Sequence, residues 1–316
     1  MCTGQVSYSG YTDLPDNLKR VSLMKKYIFL GISALAIAVS ALMIQLQIVN
    51  SSEETITFFP LNDSARYTSA STSLTLLKDK KNDKHSIDWK VQSRLDQEAY
   101  LRQDMGLLFV NGLLKGKAAK WEQDTADIYQ EDFISSEESA KYDAITFHYS
   151  ELHGNGDRIT SAQRMSDDFL YVIDSPFSPL QSFSVAKSKH EKEWKNVLDQ
   201  SVSNTLNKSL NKAEKTYNFK ASNYIAVPLD TIRQYEDQPL KGFTQKETAN
   251  IVGKLWEGLY KNYYLGIKKS DGTVVNPIDS TMPLILVSND KSHLLVVTQT
   301  DSGESIVLKQ ILQGSN

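Results

Sequence analysis

The sequence predicts an α+β protein. It reads as an N-terminal single transmembrane helix, then an exported region with antiparallel β-sheet, two amphipathic helices and a C-terminal β-meander. Three observations predict this. One uncharged apolar run lies near the N-terminus. Period-two alternation dominates the first half of the chain beyond that run and returns near the C-terminus. Between them, two capping boxes each open a stretch of helical apolar spacing.

The apolar run is Tyr27 to Val49, YIFLGISALAIAVSALMIQLQIV. At 1.5 Å per residue it spans roughly 34 Å, enough to cross a hydrocarbon core of about 30 Å. Lys19, Arg20, Lys25 and Lys26 precede it, and Glu53 and Glu54 come after it. The positive-inside rule places residues 1–26 in the cytoplasm and the chain after residue 49 outside. The bilayer is therefore the first expected partner, through residues 27–49. The rival reading is a signal peptide cleaved on secretion. Its small-x-small sites, Ala34-Leu35-Ala36 and Ala36-Ile37-Ala38, fall mid-run, too early for good cleavage. Residues 1–23 are polar and aperiodic and precede a Met-Lys-Lys start. Lys19-Arg20-Val21 can be encoded by a purine-rich run, so translation is expected to begin at Met24.

The exported part divides into a linker over 50–70, a β-rich region over 71–180 and an α+β region over 181–316. The linker carries a possible strand at Thr55–Phe59. Ser73–Leu76 and Ser86–Val91 form an expected hairpin, with Ile87, Trp89 and Val91 on one face. Leu107–Val110 is an apolar strand closed by Asn111-Gly112, a hairpin-turn dipeptide. The acidic stretch 121–142 reads as helix or loop. Ala144–Leu152 alternates with Ile145, Phe147 and Tyr149 on one side. Phe169–Ile173 is a strand ending at the breaker Asp174-Ser175-Pro176-Phe177-Ser178-Pro179, the expected boundary between the two regions.

Ser188-Lys189-His190-Glu191 is a capping box. Trp194, Leu198, Val202, Leu206, Leu210, Ala213 and Tyr217 then make one apolar stripe. Tyr224–Val227 is a short strand. Thr244-Gln245-Lys246-Glu247 is the second capping box, and Val252, Leu255, Trp256, Leu259 and Tyr263 come after it at helical spacing. Expected strands at Leu265–Lys268, Thr273–Val275, Pro283–Val287, His293–Thr298 and Ser305–Ile311 complete the meander. Strands, then helices, then strands favour α+β over a doubly wound parallel fold.

Composition bounds the function. Lys plus Arg total 35 against 38 Asp plus Glu, a net charge of -3, so no nucleic-acid partner is expected. One cysteine excludes an internal disulfide framework and every multi-cysteine metal site. The Lys-, Asn- and Ser-rich composition suits a bacterium of low genomic GC.

No motif assigns a catalytic residue. Gly-x-Ser-x-Gly, the P-loop and the dinucleotide fingerprint are absent, and no cofactor is expected. His148-Tyr149-Ser150-Glu151-Leu152-His153 resembles a zinc-binding H-x-x-E-H with one residue too many, making His148, Glu151 and His153 weak metal candidates. On a strand, His148 and His153 point to opposite faces, so no metal site is expected. Gly154-Asn155-Gly156-Asp157 resembles a calcium turn, but in a single copy it reads as a plain turn. Around Trp256 the chain is rich in aromatics. Tyr260 and Tyr264 fall partly off the apolar stripe and are the candidates for surface contact.

These readings point to a membrane-anchored extracytoplasmic protein acting as a non-catalytic interaction, sensing or assembly factor at a bacterial cell envelope, with an envelope protein as its partner. The alternatives are a membrane-tethered or secreted hydrolase using carboxylates and a binding module for an anionic wall polymer or lipid.

Overall fold

The computed structural model describes residues 56–81, 84–154, 158–269 and 271–312. They belong to one unit, Thr55–Asn316. The expected membrane segment 27–49 and the polar stretch before it lie outside the described residues. Among those described, no helix is long and apolar enough to cross a membrane.

The α+β expectation holds in its coarse form: antiparallel sheet dominates and the helices are few. Six strands form the large sheet: β1 (Tyr67–Lys81), β2 (Lys84–Val110), β3 (Leu113–Ser136), β4 (Ala140–His153), β5 (Ile159–Ser175) and β6 (Ser178–Phe183). β2 is its spine. Along one edge β2 pairs with β3. Along the other it pairs first with β1, up to Leu95, and then with β4, from Leu101 onward.

The change of partner coincides with a fold in the strand. The β2–β3 register shifts between Arg94 and Ala99. A straight strand from Trp89 to Gly106 would span about 55 Å. Instead a Cβ on Gly106 would stand 2.6 Å from the Trp89 ring. β2 therefore turns back on itself at 94–99, and β3 runs alongside it. The result is two sheet layers made largely from one hairpin. Leu74, Ile87, Trp89 and Val91 of the first layer pack on Leu108, Tyr142, Ala144, Leu170 and Val172 of the second.

The second layer is buried on its other face as well. Met105, Leu107, Phe109, Ile145, Phe147 and Tyr149 point away from the first layer into the largest apolar cluster. Two helices and a smaller sheet close it. Helix α1 (Lys189–Tyr217) opens with the expected capping box: Glu191 N donates to Ser188 Oγ at 3.1 Å, and Ser188 N donates to Glu191 Oε2 at 2.9 Å. Its buried stripe is Leu198, Val202, Leu206, Ser209 and Ala213. Trp194 and Leu210 are only half-buried and Tyr217 is exposed, so the stripe is shorter than its spacing predicts. Helix α2 (Gln245–Leu259) opens at Thr244 with the second box and buries Val252, Leu255, Trp256 and Leu259. It runs on into one π-helical turn, Tyr260–Tyr264. The smaller sheet has the order β12 (Ser305–Ile311), β11 (His293–Gln299), β10 (Leu284–Ser288), β7 (Tyr224–Pro228), all antiparallel. The last three strands are the expected meander, while β8 (Ile267–Lys268) and β9 (Val274–Val275) form a separate pair.

Four expectations need correction. The acidic stretch 121–142 lies mostly in β3, not in a helix or loop. β3 is an edge strand whose inward positions, Ile128 and Ile134, alternate with solvated Tyr129, Glu131 and Phe133. The strand expected at Thr55–Phe59 is irregular over its described residues: Phe58 N and Phe59 N bond to Glu257 and Tyr149 side chains instead of a ladder. The linker expected over 50–70 is, from residue 56 on, built into the fold. Ile56 and Ala65 are buried, and β1 begins at Tyr67. The breaker at 174–179 is the β5–β6 turn, with Ser175 paired to Ser178. The Asn111-Gly112 turn is as expected, both residues having positive φ, at 50° and 79°.

The fold in β2 makes Gly106 a sensitive position. Gly106→Ala should destabilise the protein by about 1–3 kcal/mol through overpacking against Trp89. Urea unfolding of Gly106→Ala, Trp89→Leu and the double variant checks this. Gly106→Ala should cost less in the Trp89→Leu background than in wild type, and an equal cost in both backgrounds would contradict the contact.

Candidate functional site

The weak metal candidates His148, Glu151 and His153 do not come together. His148 is buried between the two sheet layers, while His153 is exposed on the other face of β4, stacked 3.8 Å from Tyr100 and bonded to Glu151 at 2.5 Å. Among the described residues no group of His, Cys, Asp and Glu is arranged to hold a metal. Of the Gly154–Asp157 turn only Gly154 is described, and its N–H donates to Arg158 O.

The aromatic candidates also move. Tyr260 is 2% exposed and belongs to the main core, one α-helical turn after buried Trp256, to whose carbonyl its N–H donates. It offers no surface. Tyr264 is half-buried, stacked on Tyr260 with ring centroids 5.3 Å apart, and Lys117 Nζ lies 4.9 Å from its ring.

His148 has partners that the sequence did not suggest. Its Nδ1 donates to Asp104 Oδ2 at 2.7 Å, and its Nε2 lies 2.7 Å from Ser166 Oγ. Asp104, His148 and Ser166, from β2, β4 and β5, thus have the connectivity of a Ser-His-Asp triad. The arrangement is nevertheless closed. Asp104 and His148 have no exposed surface and Ser166 is 4% exposed. Thr72 of β1 caps Ser166 Oγ at 2.7 Å and also bonds Thr146. Ser93 donates to Asp104 at 2.6 Å, and buried Arg102 bonds Ser93 and the carbonyl of Ala126. A serine nucleophile needs an acyl carbon at about 3 Å, which this packing denies. The network holds the two layers in register.

The chemistry open to solvent lies on the other side of β4. A cleft of about 690 Å³ has β4 and β5 as its floor. Lys141 and Asp143 come from β4, Asp167, Phe169 and Tyr171 from β5, and Lys195 from α1. Asp230, Arg233 and Gln234 come from the 3-10 helix Leu229–Glu236. On β4, Lys141 and Asp143 share a face because they are two residues apart. Lys141 Nζ stands 2.8 Å from Asp143 and 3.8 Å from Asp230. Arg233 pairs with Asp167 at 2.7 Å. Lys195 pairs with Asp199, which also accepts from Tyr171 Oη at 2.7 Å.

Burial dominates the electrostatics. It pushes the Asp143 carboxyl up, with Asp230 adding to the rise and Lys141 opposing it. Asp230 is raised by burial too, against Lys141 and with help from Asp167. Burial works against the charge of Lys141, but Asp143 and Asp230 outweigh it and hold the lysine above its usual value. The Tyr171 hydroxyl is raised by burial and by Asp199. Spacing reasoning could have found the Lys141–Asp143 pair. It could not have found Asp230, which is remote in sequence and reaches the cleft only through the turn after Pro228.

Beyond the cleft, Glu236 accepts from Met165 N and lies 3.4 Å from Arg164. Burial lifts its carboxyl from 4.5 to about 7, with Arg164 opposing. The folded state then binds this proton more tightly than the unfolded chain. Its contribution to stability falls as pH rises between those two values. Glu236→Gln keeps an acceptor for Met165 N and removes the charge. Its melting temperature should therefore gain on wild type as pH rises through that window; a gap independent of pH would contradict this.

The closed triad gives a second test. Ser166→Ala should cost about 1–3 kcal/mol in urea unfolding by orphaning buried partners. A fluorophosphonate should leave Ser166 unlabelled in the folded protein, and labelling there would show that the site opens.

No family model matches the chain, and comparison with curated proteins and with solved structures finds no match.

Proposed function

We propose that this chain is a single-pass membrane-anchored protein with its folded part outside the cytoplasm. It works as a non-catalytic interaction, sensing or assembly factor at a bacterial cell envelope. The observation that carries this reading is the cleft over β4. It opens to solvent, and its cations are already held in ion pairs: Lys141 with Asp143, Lys195 with Asp199, Arg233 with Asp167. Fixed charges of this kind select a partner by complementarity and register. The closed packing around Ser166 supports the non-catalytic part. The uncharged run 27–49, with lysines before it and glutamates after it, supports the anchor and its direction.

A second reading, a hydrolase using carboxylates, is favoured by one feature. Asp143 and Asp230 flank a single lysine, and both are raised, as a general acid working near neutral pH requires. The binding of an anionic wall polymer is not favoured in this cleft, where carboxylates outnumber cations.

Crosslinking and pull-down of the full-length protein from its native membrane tests the first reading. A near-stoichiometric envelope protein, lost on Asp230→Asn with the fold retained, is the expected result. An empty pull-down counts against it. Release of reducing ends from purified wall polymer, abolished by Asp143→Asn, would establish the second reading instead.

A further inference from the structure

We infer that the outward face of the first layer, across β1, β2 and β3, binds a neutral oligosaccharide of β-linked pyranoses, stacked on the exposed rings of Tyr129 and Phe133. None of the residues involved lines the cleft over β4, and the inference does not rest on the reading of that cleft.

The face follows from strand alternation. Leu74 of β1, Ile87, Trp89 and Val91 of β2 and Ile134 of β3 pack inward against the second layer. Their neighbours along each strand therefore point outward. On β3 these are Tyr129, Glu131 and Phe133. Gln92, Lys90 and Asp88 of β2 stand directly opposite them, and Ser73 and Thr75 of β1 stand opposite Lys90 and Asp88. Tyr129 is 48% exposed and Phe133 is 53% exposed. The two rings start from positions four apart on one strand, about 13 Å at about 3.3 Å per residue.

The space between the rings is polar and ordered. Lys90 Nζ lies 2.6 Å from Asp88 Oδ2 and 3.2 Å from Glu131 Oε1. Tyr129 Oη donates to Glu131 Oε2 at 2.9 Å. One cation is thus matched by two carboxylates, and the chain of contacts runs from one ring to the residue opposite the other. These groups remain within reach of a ligand: the side chains of Lys90 and Glu131 are 41% and 34% exposed.

This pattern selects the ligand. A protein interface gathers apolar groups at its centre and loses charge there. Here the charges hold the centre and the aromatic rings stand at the ends. A nucleic acid or an anionic lipid would bring negative charge to two carboxylates whose facing cation, Lys90, is already shared. A β-linked pyranose has the matching form. Its axial C–H bonds give an apolar face to lay on an aromatic ring, whose π face is negative. Its equatorial hydroxyls both donate and accept, so they meet Glu131 and Lys90 without any change of charge. A single sugar covers one ring, and a chain of several reaches both.

The test uses the full-length protein in a polyoxyethylene detergent, which has no sugar headgroup to compete. It is titrated by calorimetry with cellohexaose and chitohexaose and with their disaccharides. At least one hexasaccharide should bind, about 10-fold or more tighter than its disaccharide, because only the longer chain spans both rings. Its affinity should change less than about 2-fold between about 50 mM and about 500 mM salt. Tyr129→Ala and Phe133→Ala should each weaken hexasaccharide binding about 10-fold and leave it no tighter than that of the disaccharide. Both side chains point to solvent on an edge strand, and an unchanged melting temperature checks that the variants fold. Glu131→Gln, which keeps an acceptor for Tyr129, should weaken binding about 3-fold or more and repeats the test should a ring variant unfold. No binding by either hexasaccharide would overturn the inference. So would binding indifferent to both ring substitutions, or binding that collapses with salt. A protein captured from native membranes only when Tyr129 and Phe133 are intact, with both hexasaccharides failing, would make this face a protein interface instead.

Discussion

The turn of β2 upon itself at 94–99 is the constraint on which the architecture depends. Because the strand folds back, its first half supplies one layer and its second half another, and β3 is carried along as the partner of both. The packing of Trp89 on Gly106 fixes the distance between the layers, since no side chain stands between ring and backbone. The second layer then has both faces covered, one by the first layer and one by the helices and the smaller sheet. This is why β4 reads as apolar toward one side and polar toward the other while being buried on both. Its polar side faces the interior of the fold, where Asp104, His148, Ser166, Thr72 and Thr146 satisfy one another.

The same construction separates two kinds of polar chemistry by a single strand. Residues 144, 146 and 148 of β4 point into the layered interior. Residues 141 and 143 point to the cleft, where ions meet solvent. A triad-like connectivity on the inner side is a packing solution: three strands meet there, and hydrogen bonds between short side chains replace apolar contacts. On the outer side, Lys141, Lys195 and Arg233 are each held by a carboxylate, so the charges are fixed in pairs at the edge of solvent.

Much of the fold was legible in the residues. Alternation placed Ile145, Phe147 and Tyr149 on one face, and the two capping boxes located the starts of α1 and α2. Asn111-Gly112 marked its hairpin. These features are local, and the backbone responds to them locally. β3 was misread because its outward positions are acidic and its inward apolar residues are sparse, as an edge strand allows. The fold in β2 was not legible, since nothing near Trp89 announces Gly106. The cleft was illegible for the same reason: Asp143 and Asp230 meet only after the 3-10 helix is laid across β4. Tyr260 was misplaced because the buried face of α2 is wider than the stripe from which its exposure was read: it lies one α-helical turn after Trp256 and is buried with it.

Phe58 has a consequence for the order of assembly. Its ring lies so close to α2 that a Cβ on Gly253 would clash with it, and its N–H donates to Glu257. Ile56 and Leu312 belong to the same apolar cluster. Phe58 thus has no binding place until α2, 199 residues later at Glu257, has been synthesised. A chain delivered N-terminus first would keep these apolar residues waiting, exposed, for partners that come last. Removing α2 would therefore leave the beginning of the fold, and not only its middle, without a place to pack.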